Sequence, residues 1–317
     1  MALLAFDLGG TKLATAVFNE QGNILFREIT HLEKRKGNEV AELITGTFCS
    51  IPDAIRLSGD EIQSIGISVP GIYRSKTGTV WAPNIPGWDD YPLLDEVKKV
   101  AGNIPVTIDS DRACYILGEV WKGNAKECRD AIFLAVGTGI GAGIMIEGNV
   151  LRGAHDIAGA IGWMALDRPF KEEYISCGCF EHYTSGEGIA KQAKQFLQEE
   201  KNHLGELKDK RIEEIDCRDV FNAYENRDEI AMRVIQSCIE FWGMASANLV
   251  SLFNPEKIIF GGGVFGPAIP LIPQIKAEAS KWAQPISIQQ VSFETAALGT
   301  DAGVYGAGYL ALNQLHS

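Results

Sequence analysis

A chain of 317 residues, 46% hydrophobic and 22% charged, has the balance of a soluble globular protein, and its length calls for two domains of roughly 100–200 residues each. A net charge of −12, with no basic cluster beyond His31-Leu-Glu-Lys-Arg-Lys36, argues against nucleic acid as a partner, because phosphates need a basic face. No apolar stretch approaches the ~18 residues of a membrane span, the Met-Ala-Leu-Leu-Ala-Phe-Asp7 opening carries no basic leader, and seven scattered cysteines fit a reducing cytoplasm.

Residues 3–7 read as a short apolar strand, turned by Gly9-Gly10-Thr11-Lys12, and 13–18 alternate as a second strand. A turn at Glu20-Gln21-Gly22-Asn23 leads into a third strand over 24–29. Helical periodicity covers 38–51, and a strand over 62–69 stops at Pro70-Gly71. Residues 81–88, Trp-Ala-Pro-Asn-Ile-Pro-Gly-Trp, form a loop rich in breakers. A helix over 93–100 and a strand over 106–108 deliver Asp109-Ser110-Asp111, and the helix over 113–122 closes at Gly123. The opening plan then returns: a strand over 131–136, a Gly137-Thr138-Gly139 turn, a strand over 141–146, a Glu147-Gly148-Asn149 turn and a strand beginning at Val150-Leu151. The spacing of the two glycine turns far exceeds the ~20–50 residues of a solenoid repeat, so duplicated α/β lobes are expected. The rest is more helical: 188–200 after Ser185, 227–253 ended by Asn254-Pro255, 273–283 and 302–313. Two strands interrupt it, 257–260 running into Gly261-Gly262-Gly263, and 286–291. The charged stretch 201–214 reads as a solvated loop or helix face.

The first turn, Asp7-Leu-Gly-Gly-Thr-Lys12, suits an anion. Adjacent glycines let backbone amides approach with no Cβ in the way, Thr11 offers a hydroxyl, Lys12 a cation, and Asp7 a carboxylate for Mg²⁺ through water. The plainer alternative is a hairpin whose glycines only satisfy positive φ. Gly137-Thr-Gly-Ile-Gly-Ala142 formally matches the dinucleotide pattern, but that pattern opens a helix and here a strand follows; no P-loop sequence occurs. Two glycine hairpins from two lobes make instead a clamp for a polyphosphate. Gly261-Gly262-Gly263 is then either a flat shelf for an adenine base or a tight strand–helix turn. Asp111, between strand and helix, suits a general base that accepts an alcohol proton during γ-phosphoryl transfer; capping the helix is its alternative role.

Taken in order, these residues resemble the ROK family of sugar kinases and regulators, within the actin-like ATPase superfamily. The resemblance runs from residue 3 to about 312. Its carriers are Asp7–Lys12, Val69-Pro70-Gly71, 82–88, 109–119, 137–141, Gly178-Cys-Phe-Glu181 with Ser185-Gly186, Gly261-Gly-Gly263 and Gly303-Val-Tyr-Gly-Ala307. It implies an α/β fold of two actin-like (ribonuclease H-like) lobes with an ATP cleft between them, one over 1–112 joined by the C-terminal helix 303–317, the other over 113–302. It implies ATP-dependent phosphorylation of a hexose or hexose derivative, ATP and Mg²⁺ as cofactors, a sugar as small-molecule partner, a homodimer and a cytoplasmic location. By position, Asp111 falls on the catalytic aspartate. Asn84 and Glu181 fall on sugar contacts, with Gly71, Ser110 and Trp163 beside them. Asp7, Gly9, Gly10, Thr11, Lys12, Gly137, Thr138, Gly139, Gly261, Gly262 and Gly263 fall on the nucleotide side. The family's repressors carry an N-terminal helix-turn-helix, and a phosphate motif that begins at residue 3 favours an enzyme. A non-catalytic sugar sensor and an assembly-type ATPase are the rivals.

Three departures stand out. Ala160-Ile161-Gly162-Trp163 occupies the place of a Glu-x-Gly-His whose acid and imidazole contact sugar. The zinc pattern Cys-x-Cys-Gly-x-x-Gly-Cys is reduced to Ser176-Cys177-Gly178-Cys179, so a structural zinc is not expected; a non-standard site from Cys177, Cys179 and His182 is the alternative. Ser110 replaces the asparagine of an Asn-Asp pair. The first change implies a substrate other than plain glucose, such as a glycoside, an unusual sugar or a cyclitol, against an ordinary glucokinase whose pocket other residues complete.

Overall fold

The computed structural model describes residues 1–56, 61–200 and 203–316, with backbone only over 52–56. In chain order its strands and helices are β1 (Ala2–Leu8), β2 (Lys12–Asn19), β3 (Ile24–His31), α1 (Asn38–Arg56), β4 (Ile62–Val69), β5 (Ile72–Arg74), β6 (Thr79–Trp81), α2 (Leu93–Ala101), β7 (Val106–Ser110), α3 (Asp111–Lys122), β8 (Ala131–Val136), β9 (Ile140–Ile146), β10 (Asn149–Val150), α4 (Cys179–Thr184), α5 (Gly186–Glu199), α6 (Cys217–Glu225), α7 (Glu229–Phe253), β11 (Lys257–Gly261), α8 (Ile272–Ala279), α9 (Ser287–Gln290), β12 (Ser292–Thr295) and α10 (Ala302–Leu315).

The chain divides into two units, Met1–Glu127 with Val150–Ala158 and Ala297–Ser317, and Cys128–Asn149 with Gly159–Ala296. Each contains a five-stranded sheet with the same strand plan: β3-β2-β1-β4-β7 in the first and β10-β9-β8-β11-β12 in the second. In both, the first two strands form an antiparallel hairpin and the next two join in parallel. The parallel joins require crossovers, which is where the helices lie in sequence. The repeat read from the sequence is this repeated sheet.

In the first unit β1 is covered on both faces, so its apolar run is nearly continuous. Leu4, Phe6 and Leu8 pack with Val40 and Ile44 of α1 and Val97 of α2, whereas Leu3 and Ala5 pack with Val304, Ala307 and Ala311 of α10. Helix α10 approaches unusually closely. A methyl group on Gly66 of β4 would lie 1.8 Å from the Ala307 carbonyl oxygen, and one on Gly306 would lie 1.8 Å from that of Cys114 in α3. Ser64 Oγ donates to Ala311 O at 2.8 Å. This contact of α3 with α10 corrects the expected boundary at 112/113, because α3 belongs to the first unit. So does the segment 150–158, which is tied there by Arg152 to Asp109 and by Ser75 to Asp156. Glu119 of α3, 0% exposed, accepts the backbone N–H groups of Asn124, Ala297 and Leu298.

The second unit is built on the 25-residue α7, whose Val234, Cys238, Trp242 and Leu249 are buried in one large core with Ile132, Leu134, Ile258 and Phe260 of the sheet. Three expectations need correction. Residues 286–291 form helix α9 and a turn, and the strand starts at Ser292, where pairing to Lys257 of β11 sets the register. The described part of the 201–214 stretch is not simply solvated, since His203 and Leu207 are buried; residues 201 and 202 lie outside the described residues. The strand at Val150-Leu151 is reduced to the two residues of β10.

Candidate active site

In the first unit the β1–β2 turn closes with Gly9 N donating to Lys12 O at 2.9 Å. Neither Gly9 nor Gly10 has a left-handed φ, so positive φ is not the reason for glycine here. A methyl group on Gly9 or Gly10 would meet its nearest neighbour at 3.5 Å, an ordinary contact. Neither backbone geometry nor packing demands these glycines, and they leave bare amides in an exposed turn. The Gly10 neighbour is Asn84, so the fold brings a predicted acceptor contact to the predicted phosphate turn. The 81–88 loop holds Asn84 there: Ile85 and Trp88 are buried, Trp88 Nε1 donates to Gly37 O at 3.0 Å, and its ring stacks on Tyr91 at 4.8 Å. Such a stacked pair contributes roughly 1 kcal/mol beyond its buried area.

Beside the turn stand the carboxylates. Burial raises the pKa of Asp7, with the Ser68 hydroxyl and Lys12 offsetting part of the rise. A methyl group on Gly303 would lie 2.4 Å from Asp7 Oδ2, so α10 needs glycine there to clear the carboxylate. Ser110 is the N-cap of α3, its Oγ accepting from Ala113 N at 3.4 Å. Asp111 is therefore not the capping residue and occupies the first helical position. Burial raises its pKa to about 6, against the lowering effects of Arg112, of the Arg112 N–H (2.7 Å) and of a hydrogen bond from Tyr115; the charge of Asp7 adds to the rise. Asp109 is buried and bound by Arg152 Nε at 2.9 Å and Nη2 at 2.5 Å. Gly71 has φ +95°, and its carbonyl accepts from Arg112 Nη2 at 3.4 Å, bringing the β4 exit to the start of α3.

In the second unit the β8–β9 turn is one residue tighter, with Gly137 N donating to Gly139 O at 2.9 Å where Gly9 N reaches Lys12 O, and Thr138 is exposed. A methyl group on Gly137 would touch nothing within 4 Å. Glu181 of α4 reaches the far side of the turn, where Oε2 accepts from Ile140 N at 2.6 Å, and burial raises its pKa. Methyl groups on Gly139 and Gly162 would lie 3.0 and 2.9 Å from that oxygen. Trp163, next to Gly162, is 58% exposed, and Ala160 ends the loop before it. The three-glycine run divides by role. Gly261 packs on the Phe133 ring, and Gly262 has φ +89° with the Val136 carbonyl where a Cβ would stand; both serve the turn between β11 and the short 3-10 turn Gly263–Phe265. Gly263 is exposed, with nothing within 4 Å.

The sequence profile of the ROK family matches residues 3–314. The chain belongs to the ROK family. It is 34% identical to a glucokinase of Halalkalibacterium halodurans over 98% of this chain and 95% of that one. Among solved structures, it resembles a ROK hexokinase from Thermus thermophilus (TM-score 0.82, 27% identity, 100% of this chain and 99% of that one). It also resembles a ROK family glucokinase from Streptomyces griseus in complex with glucose and AMPPNP (TM-score 0.75, 28% identity, 99% and 100%).

For a ROK zinc the donor set does not fit. Cys179 is buried in the first turn of α4, and Cys177 Sγ faces the Gly178 carbonyl. The His182 ring packs edge-on against Tyr174 and Tyr183, its Nε2 3.9 Å from Glu173. Among the described residues no group of three or more His, Cys, Asp or Glu side chains could hold a metal ion. Mg²⁺ asks for less, one or two carboxylates plus phosphates and water, and Asp7 at the end of β1 fits that demand. No helix of the described residues is long and apolar enough to cross a membrane.

Sequence reasoning gave no site role to Tyr115, Arg152 or Gly186, although Tyr115 and Gly186 lie in stretches that carry the resemblance. Tyr115 was findable, since (i, i+4) places it on the Asp111 face of α3. Gly186 N, at the start of α5, donates to Gly137 O at 2.8 Å. Arg152 lies 43 residues from Asp109, and no local pattern marks it.

Proposed function

We propose that this ROK chain transfers the γ-phosphoryl group of ATP to a hydroxyl of a hexose or hexose derivative, with Asp111 as the general base. The chain is an ATP-dependent sugar kinase, and the residue assignments are our reading of its site. The observation that carries the base assignment is the helix cap: Ser110 takes that role, and Asp111 keeps a carboxylate with a pKa near 6 beside Asp7. A base poised near neutrality accepts a proton best. In the transfer, the acceptor hydroxyl proton passes to Asp111, the oxygen–phosphorus bond forms, and the bond from the γ-phosphorus to the ADP oxygen breaks. Gly9, Gly10, Thr11 and Lys12 on one unit, and Gly137, Thr138 and Gly139 on the other, are assigned to phosphate oxygens, with Gly263 toward the nucleoside. Mg²⁺, when bound, neutralises charge on those oxygens, and Asp7 would hold it. Asn84, Ser110 and Glu181 are assigned to the acceptor, with Gly71 shaping the backbone beside it.

The test is sugar-dependent ADP release from ATP and Mg²⁺ over a panel of hexoses, amino sugars, glycosides and cyclitols. Sugar binding without ADP release marks a sensor, and ATP hydrolysis indifferent to sugar marks an assembly ATPase. Trp163 favours a substrate other than free glucose. Its large exposed face adjoins the Gly162–Glu181 contact, and aromatic faces stack on sugar rings or apolar aglycones. Highest kcat/KM with free glucose across that panel sinks this preference. The family resemblance supports a homodimer in the cytoplasm, and light scattering checks the dimer. The net charge of −12 supports the absence of a nucleic-acid partner.

A further inference from the structure

Glu181 sits on α4, a helix of six residues, too short to hold an orientation by its own hydrogen bonds. Its carboxylate is nonetheless placed tightly, with Ile140 N at 2.6 Å and no room for a methyl group on Gly139 or Gly162. Something outside α4 must fix it. Part of the answer is packing: Phe180 and Cys179 are buried, and Gly178, at φ +87°, sets the helix start against the Gly162 carbonyl and the Trp163 backbone.

The other part is polar. Tyr183, two residues beyond Glu181, places its hydroxyl 2.7 Å from that of Tyr174, 2.6 Å from Lys171 Nζ and 3.1 Å from Asp167 Oδ2. Asp167 Oδ2 also accepts from the Tyr174 hydroxyl at 3.0 Å and from Lys171 at 3.3 Å. Lys171 donates to both Tyr183 and Asp167, the two phenol protons are shared among the three contacts that link Tyr174, Tyr183 and Asp167, and Lys171 meets Tyr174 only across its ring, 5.8 Å from the centroid. The Tyr183 ring stacks on Phe241 of α7 at 4.6 Å, and its carbonyl accepts from Gln192 of α5 at 2.7 Å. The bonds run one way electrostatically. Burial works against the Asp167 charge, yet the Arg168 N–H, the two phenols and Lys171 hold it below its ordinary pKa, while the Tyr183 hydroxyl holds Lys171 above its own. The same carboxylate thus ties residues 167–174 to α4, across the stretch where the ROK zinc pattern has lost its ligands.

We propose that Asp167, Lys171, Tyr174 and Tyr183 are positioning residues for Glu181, a hydrogen-bonded clasp standing where a structural metal would otherwise pin the loop to α4. Its kinetic consequence rests on the sugar-kinase reading; its structural consequence does not. Tyr183→Phe keeps the ring on Phe241 and removes only the hydroxyl, and Asp167→Asn removes the shared charge. In both, backbone hydrogen exchange over residues 137–146 of the free enzyme should quicken severalfold, because Ile140 N loses its fixed acceptor. KM for sugar should rise roughly fivefold with KM for ATP unchanged. On a Glu181→Gln background Tyr183→Phe should add nothing, since both act through one contact. Unchanged exchange over 137–146 in both variants, additive effects in the double mutant, or one zinc per chain by elemental analysis of the purified protein would each overturn the clasp. A wild type that releases no ADP with any sugar overturns the kinase reading alone, and the exchange measurement still decides the clasp.

Discussion

The turns β1–β2 and β8–β9 share a strand plan and glycines that a methyl group would not crowd, Gly9 and Gly10 in one and Gly137 in the other, yet they differ in hydrogen-bond closure and in what surrounds them. The first has carboxylates on its own unit: Asp7 on the strand itself, and Asp111 coupled to it through charge. The second strand ends in Ala135-Val136 and takes its only described acid contact from a distant helix, Glu181 on Ile140 N. On the proposed reading both turns take phosphate, and the proton chemistry belongs to the first alone. Burial is the first cause of the raised pKa in all three acids; like charge adds to it for Asp111 from Asp7, for Asp7 from Asp301 and for Glu181 from Glu187.

The largest test of this asymmetry is Asp111→Asn. It should lower kcat on the order of a thousandfold, with KM for ATP within about twofold of wild type, in a coupled ADP assay. Near-normal turnover would place the base elsewhere and erase the distinction between the turns. Next come the glycines. Gly10→Ala and Gly137→Ala face no clash in the free protein, so Tm should hold while KM for ATP rises roughly tenfold in each. A rise in only one would break the equivalence of the turns. Gly262→Ala should do the reverse: a φ of +89° and the Val136 carbonyl make it cost about 2 kcal/mol or more, read as a lower Tm.

The smallest effect is a pH shift. Asp111 must be ionised to accept a proton, so kcat/KM should fall as pH drops through about 6. Tyr115 hydrogen-bonds the charged form and lowers that pKa. Tyr115→Phe should therefore move the acidic limb to higher pH by a fraction of a unit, whereas Glu181→Gln should leave the limb in place.

What was legible in the sequence was local. Strands β4 and β8 were readable to the residue, and both turns were marked by glycine punctuation between alternating runs. Where apolar spacing served two periods the reading failed: Ile286 and Ile288 are spaced as on a strand and Ile288 and Val291 as on a helix, and a helical turn buries Ile288 and Val291 and leaves Ile286 exposed. Helix α6 was missed although Asp216 and Asp219 form a capping box, because the signal sits inside a charged stretch. At the site, residue types at strand ends were readable, and their partners were not. Arg152 on Asp109, Glu119 on Ala297 and Tyr183 on Asp167 are each made by tertiary folding across long sequence separations.

Helix α10 has a consequence for the order of synthesis. It follows the whole second unit in the chain, yet it covers Leu3 and Ala5 of β1 and Ala16 and Phe18 of β2, which precede that unit. A nascent chain can build the whole second unit while that face of the first sheet is still bare. Completion of the first unit must wait for Val304, Ala307 and Ala311, whose contacts with Leu3 and Ala5 span the whole second unit in sequence. During that interval the bare apolar face is open to aggregation, and a ribosome-bound chaperone would shield it.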